Sequence, residues 1–170
     1  MTPAVSLFLV GFMGAGKTVV GRIVAERESV PFVDTDALVE ERAGTSIEQI
    51  FRDHGEGRFR EFESLALESL AGGGPVVAAT GGGLFLGVAP RRFIRSRGVS
   101  VWLDVPLEEC RRRVGRGAGR PVWVGDDPVA LRALYERRRA AYALADRRVP
   151  AWPGDPAEVA SRVLVAIGHC

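Results

Sequence analysis

Apolar residues in this chain follow two rhythms. Short, mostly apolar runs occupy residues 5–10, 31–33, 76–79 and 99–103, and residues 147–149 read as a weak last strand. They are brief and rich in β-branched and aromatic residues, which predicts strands buried on both faces. Between the runs, apolar positions recur every three or four residues. Residues 18–28 carry Val19, Val20, Ile23 and Val24 on one helical face, and residues 37–42 are also helical. Thr45-x-x-Glu48 reads as a capping box that opens a helix with Ile47, Ile50 and Phe51 inward, which Asp53-His54-Gly55 then breaks. Residues 58–70 resume with Phe59, Phe62, Ala66 and Leu70 on one side, up to a Gly72-Gly73-Gly74-Pro75 turn. Further helices are predicted over 91–97, over 106–114 from Pro106 at the first helical position, and from an Asp127-Pro128 cap to about 145. A last one follows Asp155-Pro156-x-Glu158, with Val159, Val163 and Ile167 inward. Residues 115–125 hold Gly, Arg and Pro without a period and read as a mobile loop. Strands alternating with helices predict an α/β fold whose parallel sheet is covered on both faces.

In such a sheet, ligands bind beyond the carboxyl ends of the strands. Three of those ends carry polar or glycine-only sequence. After the first run comes Gly11-Phe12-Met13-Gly14-Ala15-Gly16-Lys17-Thr18, which matches G-x-x-x-x-G-K-[ST] at every fixed position. Glycines there let backbone N–H groups turn around phosphate oxygens, and the following helix N-terminus adds partial positive charge. Lys17 would reach the β- and γ-phosphates, and the Thr18 hydroxyl would ligate Mg²⁺. Lys17 is also the only lysine among 23 basic residues. A thin ammonium enters a phosphate cradle that a planar guanidinium would overfill. The strand before the loop and the helix after it argue against an empty glycine turn. The second run ends in Asp34-Thr35-Asp36, which puts two carboxylates at one strand end. One could hold Mg²⁺ through water and the other accept a proton from an attacking hydroxyl, or either could simply cap a helix. The third run ends in Thr80-Gly81-Gly82-Gly83, either a row of backbone donors for an anionic or hydroxylated ligand or a plain turn.

Length and composition narrow the setting. The 170 residues suit one domain with a real core. A net charge of +2 favours neither nucleic acid nor membrane, and the arginines of 111–120 lack the interleaved aromatics of a nucleic-acid patch. Cys110 and Cys170 lack metal-ligand spacing and read as free thiols of a reducing cytosol. No signal peptide is read before the first run, and no apolar stretch approaches membrane-spanning length, so a cytoplasmic chain is expected.

A phosphate loop alone does not separate kinase, hydrolase and switch. Combined with Asp34-Thr35-Asp36, Glu56-x-x-Phe59-Arg60-x-x-Glu63, Thr80-Gly81-Gly82-Gly83 and Arg120-Pro121, in that order over nearly the whole chain, it resembles shikimate kinase. The resemblance implies a P-loop NTPase of the nucleoside-monophosphate-kinase-like type, with a five-stranded parallel sheet in the order 2-3-1-4-5. It implies a single domain over 1–170 with a shikimate-binding segment at about 34–63 and a lid at about 113–125. The implied activity is ATP-dependent phosphorylation of the shikimate 3-hydroxyl, with Mg²⁺, on the route to aromatic amino acids. By position, Lys17, Asp36 and Arg120 would be catalytic, with Asp36 as base. Gly14, Ala15, Gly16, Lys17, Thr18, Val19, Arg113 and Arg120 would bind ATP, and Thr18 and Asp34 would serve the metal. Asp36, Phe51, Phe59, Arg60, Gly81, Gly82, Gly83 and Arg138 would bind shikimate, with Arg60 and Arg138 on its carboxylate. The implied partners are shikimate and ATP, without nucleic acid or membrane, and a monomer is expected.

One motif departs from the family's pattern. Where Arg-x-Pro-x-Tyr is usual, this chain has Arg138-Arg139-Ala140-Ala141-Tyr142. The proline is missing, so Arg137 and Arg139 stand as alternatives to Arg138. Gluconate and nucleoside monophosphate kinases share the loop and lid but should lack the triple glycine and the Phe-Arg pair. A non-catalytic relative should have lost Lys17, Asp36 or the lid arginine.

Overall fold

The computed structural model describes residues 5–115 and 127–169. Five strands form one parallel sheet: β1 (Ser6–Val10), β2 (Phe32–Asp34), β3 (Val77–Ala79), β4 (Gly98–Asp104) and β5 (Arg147–Pro150). Their order is β2-β3-β1-β4-β5, as the resemblance implies. Leu7 of the central strand pairs with Val77 on one side and Val99 on the other. Phe8, Leu9 and Val10 are wholly buried, as expected of a parallel strand covered by helices on both faces.

The helices are α1 (Lys17–Glu28), α2 (Thr35–Ala43), α3 (Ile47–Glu68), α4 (Val88–Arg97), α5 (Leu107–Val114), α6 (Pro128–Tyr142) and α7 (Pro156–Ala166). Helix α1 packs on α7, and α2 on α3. The latter pair has its own small core of Val39, Ile50, Phe59 and Ala66, apart from the core around the sheet. This separate cluster holds the 34–63 segment over the strand ends.

Local chemistry explains where the boundaries fall. Asp34 caps α2 by accepting from Asp36 N, so that helix starts two residues earlier than apolar spacing predicts. The cap of α3 is Ser46, which accepts from Gln49 N, one residue beyond the predicted Thr45–Glu48 box. Gly55 interrupts α3 with φ 76° and ψ −176°, conformations open to glycine, and so supplies the predicted break. Pro106 is the cap of α5 rather than its first residue. Asp155 caps α7, as the Asp155-Pro156-x-Glu158 pattern predicts, and does so in a reciprocal box with Glu158. Of the predicted inner face of α1, Val20 and Val24 are buried, whereas Val19 is 52% exposed.

Candidate active site

The phosphate loop runs from the end of β1 to the start of α1, so its N–H groups and the helix end converge. Gly14 and Gly16 have φ of 78° and 90°, the left-handed region that turns those N–H groups inward. A Cβ on Gly14 would also lie 2.7 Å from the Cys110 carbonyl oxygen. Lys17 Nζ donates to the Gly11 and Phe12 carbonyls at 2.8 and 3.0 Å, which holds the ammonium over the loop. Thr18 Oγ1 donates to Asp34 Oδ2 at 2.8 Å, and Asp34 Oδ1 accepts from Asp36 N at 3.0 Å. Asp34 therefore joins the loop to the helix that carries Asp36. Among the described residues no group of three His, Cys, Asp or Glu gathers as a metal cage. The adjacent Thr18 hydroxyl and Asp34 carboxylate instead suit Mg²⁺, which takes one or two carboxylates alongside water and phosphate.

A cleft of about 330 Å³ runs from Lys17 and Thr18 past Asp34 and Asp36 to Gly82, with Arg113 on its rim. Thr80 and Gly82, from the glycine row after β3, also line it. Each of these glycines lacks a Cβ where a different side chain approaches. A Cβ on Gly81 would lie 2.5 Å from Asp36 Oδ1, and one on Gly82 would lie 3.0 Å from Arg138 Nη1. On Gly83 it would lie 2.9 Å from Arg60 Nη2. Three consecutive glycines thus bring a carboxylate and two guanidiniums onto one shelf, which a plain turn would not require. Gly81 N donates to Thr35 Oγ1 at 2.9 Å, fixing the row to α2.

The two guanidiniums sit differently. Arg60 pairs with Glu63 and, at 3.0 Å, with Glu56, and it lies 5.4 Å over the Phe59 ring. Phe59 in turn packs on Phe51 at 4.7 Å. Burial pulls the Arg60 pKa down, but the two glutamates outweigh it and leave it raised. Arg138 is 6% exposed. Burial pushes its pKa down, with the Tyr142 hydroxyl giving some relief. Its Nε has no hydrogen-bond partner among the described residues. A buried guanidinium with an unpartnered Nε, lying against the Gly82 that lines the cleft, is suited to an anion. Arg137 is exposed, and Arg139 faces Asp104 at 3.7 Å and Trp102, away from the shelf. Of the three arginines, the structure brings Arg138 to the glycines.

Three neighbours went unassigned in the sequence reading. Glu63 is buried, and burial raises its pKa despite the pull of Arg60, with Asp36 pushing the same way. The i,i+3 spacing of Arg60 and Glu63 was the available signal. Tyr142 donates to the Gly82 carbonyl and bonds Arg138, so it braces both. Trp152 stands 5.4 Å from the Arg113 guanidinium, with no local pattern to reveal it. Arg113 is held by Glu109 at 2.6 Å and donates to the Gly14 carbonyl at 3.3 Å, which puts it beside the loop. Cys110 is a buried thiol pushed up to about 11 by burial. Arg120, Trp123 and the lid beyond Gly115 lie outside the described residues.

A family model described as shikimate kinase matches residues 13–168. A shikimate kinase of Ruegeria pomeroyi is 49% identical over 142 residues, covering 83% of this chain and 73% of that protein. A shikimate kinase of Synechococcus elongatus is 39% identical over 162 residues, covering 95% and 85%. Among solved structures, shikimate kinase from Acinetobacter baumannii in complex with shikimate is similar with a TM-score of 0.92 at 34% identity, covering 98% and 94%. A gluconokinase from Sinorhizobium meliloti reaches a TM-score of 0.66 at 18% identity, covering 96% and 91%, a likeness of fold alone.

Proposed function

The chain belongs to the shikimate kinase family, and from that premise we propose how its residues carry ATP-dependent phosphorylation of the shikimate 3-hydroxyl, giving shikimate 3-phosphate and ADP. The reaction lies on the route to chorismate and the aromatic amino acids. The observation that carries the reading is the shelf where Asp36, Arg138 and Arg60 meet Gly81, Gly82 and Gly83, with Asp36 and Gly82 lining the same cleft as Lys17.

Arg60 and Arg138 take the shikimate carboxylate by charge-assisted hydrogen bonds, and the glycine row supports the ring. Phe51 and Phe59 back the Arg60 side of the pocket. This anchoring turns the reacting hydroxyl toward Asp36 and the phosphate loop. Asp36 accepts the hydroxyl proton as the oxygen attacks the γ-phosphorus, the bond to the β–γ bridging oxygen breaks, and ADP leaves. The loop N–H groups of Gly14, Ala15 and Gly16 hold the phosphates, and Lys17 leaves its carbonyl partners to stabilise charge on the transferring group. Thr18 and, through water, Asp34 would hold Mg²⁺, which supplies neutralisation of phosphate charge when bound. Val19 and Arg113 serve the nucleotide, and Arg120 of the lid adds positive charge at transfer. The same reading makes the chain a cytoplasmic monomer that acts on small molecules without nucleic acid or membrane. No described helix is long and apolar enough to cross a membrane.

ADP release measured by a coupled assay with shikimate, gluconate and nucleoside monophosphates tests the assignment. Turnover is expected with shikimate alone. Comparable turnover on gluconate or a nucleotide would refute the acceptor.

A further inference from the structure

A further pocket, of about 210 Å³, shares no lining residue with the cleft beside Lys17. Phe85, Val88 and Leu144 make its apolar part, and Arg91, Arg92 and Arg95 of α4 make its charged part. Val88 and Leu144 are 58% and 56% exposed, so apolar surface meets water there. Asp146 also lines the pocket, and three arginines against one aspartate leave an excess of two positive charges. The Asp146 carboxylate is already engaged, because its Oδ2 accepts from Ser100 N and Oγ at 2.8 and 2.6 Å. From this combination we infer a second binding site, formed by α4 and the segment after α6, for a small carboxylate with an apolar body. It stands apart from the shikimate and nucleotide sites and does not rest on how they are read.

The arginines are spaced so that they repel. Arg91 and Arg95 lie at i,i+4 and Arg92 and Arg95 at i,i+3 on one helix, where like charges are neighbours and cost stability. Among the described residues the Arg92 and Arg95 side chains make no hydrogen bond or salt bridge. Arg91 is held in place, since its Nη1 donates to the Phe85 and Leu86 carbonyls at 2.8 and 2.7 Å. One guanidinium is therefore preset, and a carboxylate beside the three relieves the repulsion within α4. Size and surface select the rest of the ligand. A cavity of about 150 Å³ is enough for a benzene ring. The 210 Å³ here suits one ring or a short branched chain with its carboxylate, and is too small for a helix or a nucleotide. An inorganic anion would leave Val88 and Leu144 uncovered, and a neutral ring would leave the arginines without an anion.

Amide chemical-shift titrations with phenylacetate, sulfate and benzyl alcohol test the site, each run with saturating shikimate and ADP. Shikimate keeps the probes off Arg60 and Arg138. Phenylacetate carries both ring and carboxylate, sulfate only the charge, and benzyl alcohol only the ring. Phenylacetate should shift the amides of Val88, Ser100 and Leu144, and bind about tenfold or more tightly than either other probe. Arg92 and Arg95 are exposed, so the double variant Arg92→Gln with Arg95→Gln should fold. It should lose phenylacetate affinity about tenfold or more, while kcat and the shikimate KM stay within about twofold. Leu144→Ser should weaken phenylacetate and leave sulfate unchanged. No phenylacetate shifts at the three amides overturns the site. Equal affinity for sulfate or for benzyl alcohol overturns the ligand class. Undiminished phenylacetate binding by the double variant removes the arginines from the site and overturns the inference.

Discussion

Replacing Arg138 by methionine should weaken shikimate binding and yet leave the fold as stable as before, or more so. The guanidinium is 6% exposed, burial depresses its pKa, and its Nε lacks a hydrogen-bond partner among the described residues. A buried donor left unsatisfied costs about 1–3 kcal/mol. Methionine fills much of the same volume without that donor. For a domain of this size each 1 kcal/mol moves Tm by about 2–4 °C, so Tm should hold or rise by a few degrees. Binding moves the other way. Two charge-assisted bonds to a carboxylate contribute about 1.5–3 kcal/mol each, partly replaced by water once the cleft opens. A net loss of about 3 kcal/mol corresponds to a rise in the shikimate KM of roughly 10²-fold. Arg60→Ala supplies the contrast, since Arg60 is 39% exposed but neutralises the buried Glu63. That variant should raise KM and also lower stability by about 1–2 kcal/mol, discounted for its exposure. Steady-state kinetics with shikimate varied at saturating ATP, together with thermal melts, read both quantities. Arg137→Ala and Arg139→Ala should leave KM within about twofold. A KM for Arg138→Met within threefold of the parent would refute the clamp, and a large fall in Tm would show that the guanidinium is structural.

Lys17→Met should lose about 3–4 kcal/mol of transition-state stabilisation, and Lys17→Arg should also fail; normal turnover by either variant contradicts the loop assignment. Asp36→Asn should bind ADP normally but turn over ~10²-fold more slowly, and a rate within threefold of the parent rules out this base. Gly81→Ala places a methyl 2.5 Å from Asp36 Oδ1, so kcat should fall ~10-fold or more while ADP affinity is unchanged; an unaffected kcat would mean that the shelf tolerates a Cβ. Asp146 accepts from Ser100 N and Oγ at 2.8 and 2.6 Å, and despite burial these bonds hold its pKa below the ordinary value. Its folded pKa lies below the unfolded one, so its contribution is complete above about pH 4 and shrinks as pH falls further. The stability gap between the parent and Asp146→Ala, measured by urea melts, should narrow below that pH; a constant gap removes the charge from the explanation.

The pattern along the chain was enough to establish the alternation of strands and helices, because buried parallel strands are continuous apolar runs and surface helices are not. Its errors were local. The Ser46 cap and the early start of α2 depend on which neighbouring hydroxyl or carboxylate reaches a free N–H, and several residues at each boundary could do so. Val19 fell on the wrong side for a different reason. Its spacing suits a core face, but it borders the clefts beside the phosphate loop, where an apolar residue is left uncovered.

The residue order by itself determined the phosphate loop, the two aspartates and the glycine row. Each of these is contiguous, and its chemistry follows from backbone freedom or from side chains a fixed step apart. Only the tertiary structure decided how they combine. Arg60, Arg138 and Asp36 come from three helices, and no spacing in the chain says that each needs a different glycine of one row. The choice among Arg137, Arg138 and Arg139 likewise turned on the rotation of α6 against the sheet, which puts one guanidinium against Gly82, one in solvent and one toward Asp104. Glu63 and Trp152 gained meaning in the same way, from burial beside a charge and from the Arg113 guanidinium near its ring. Both are properties of packing between distant segments, where distance along the chain carries no information.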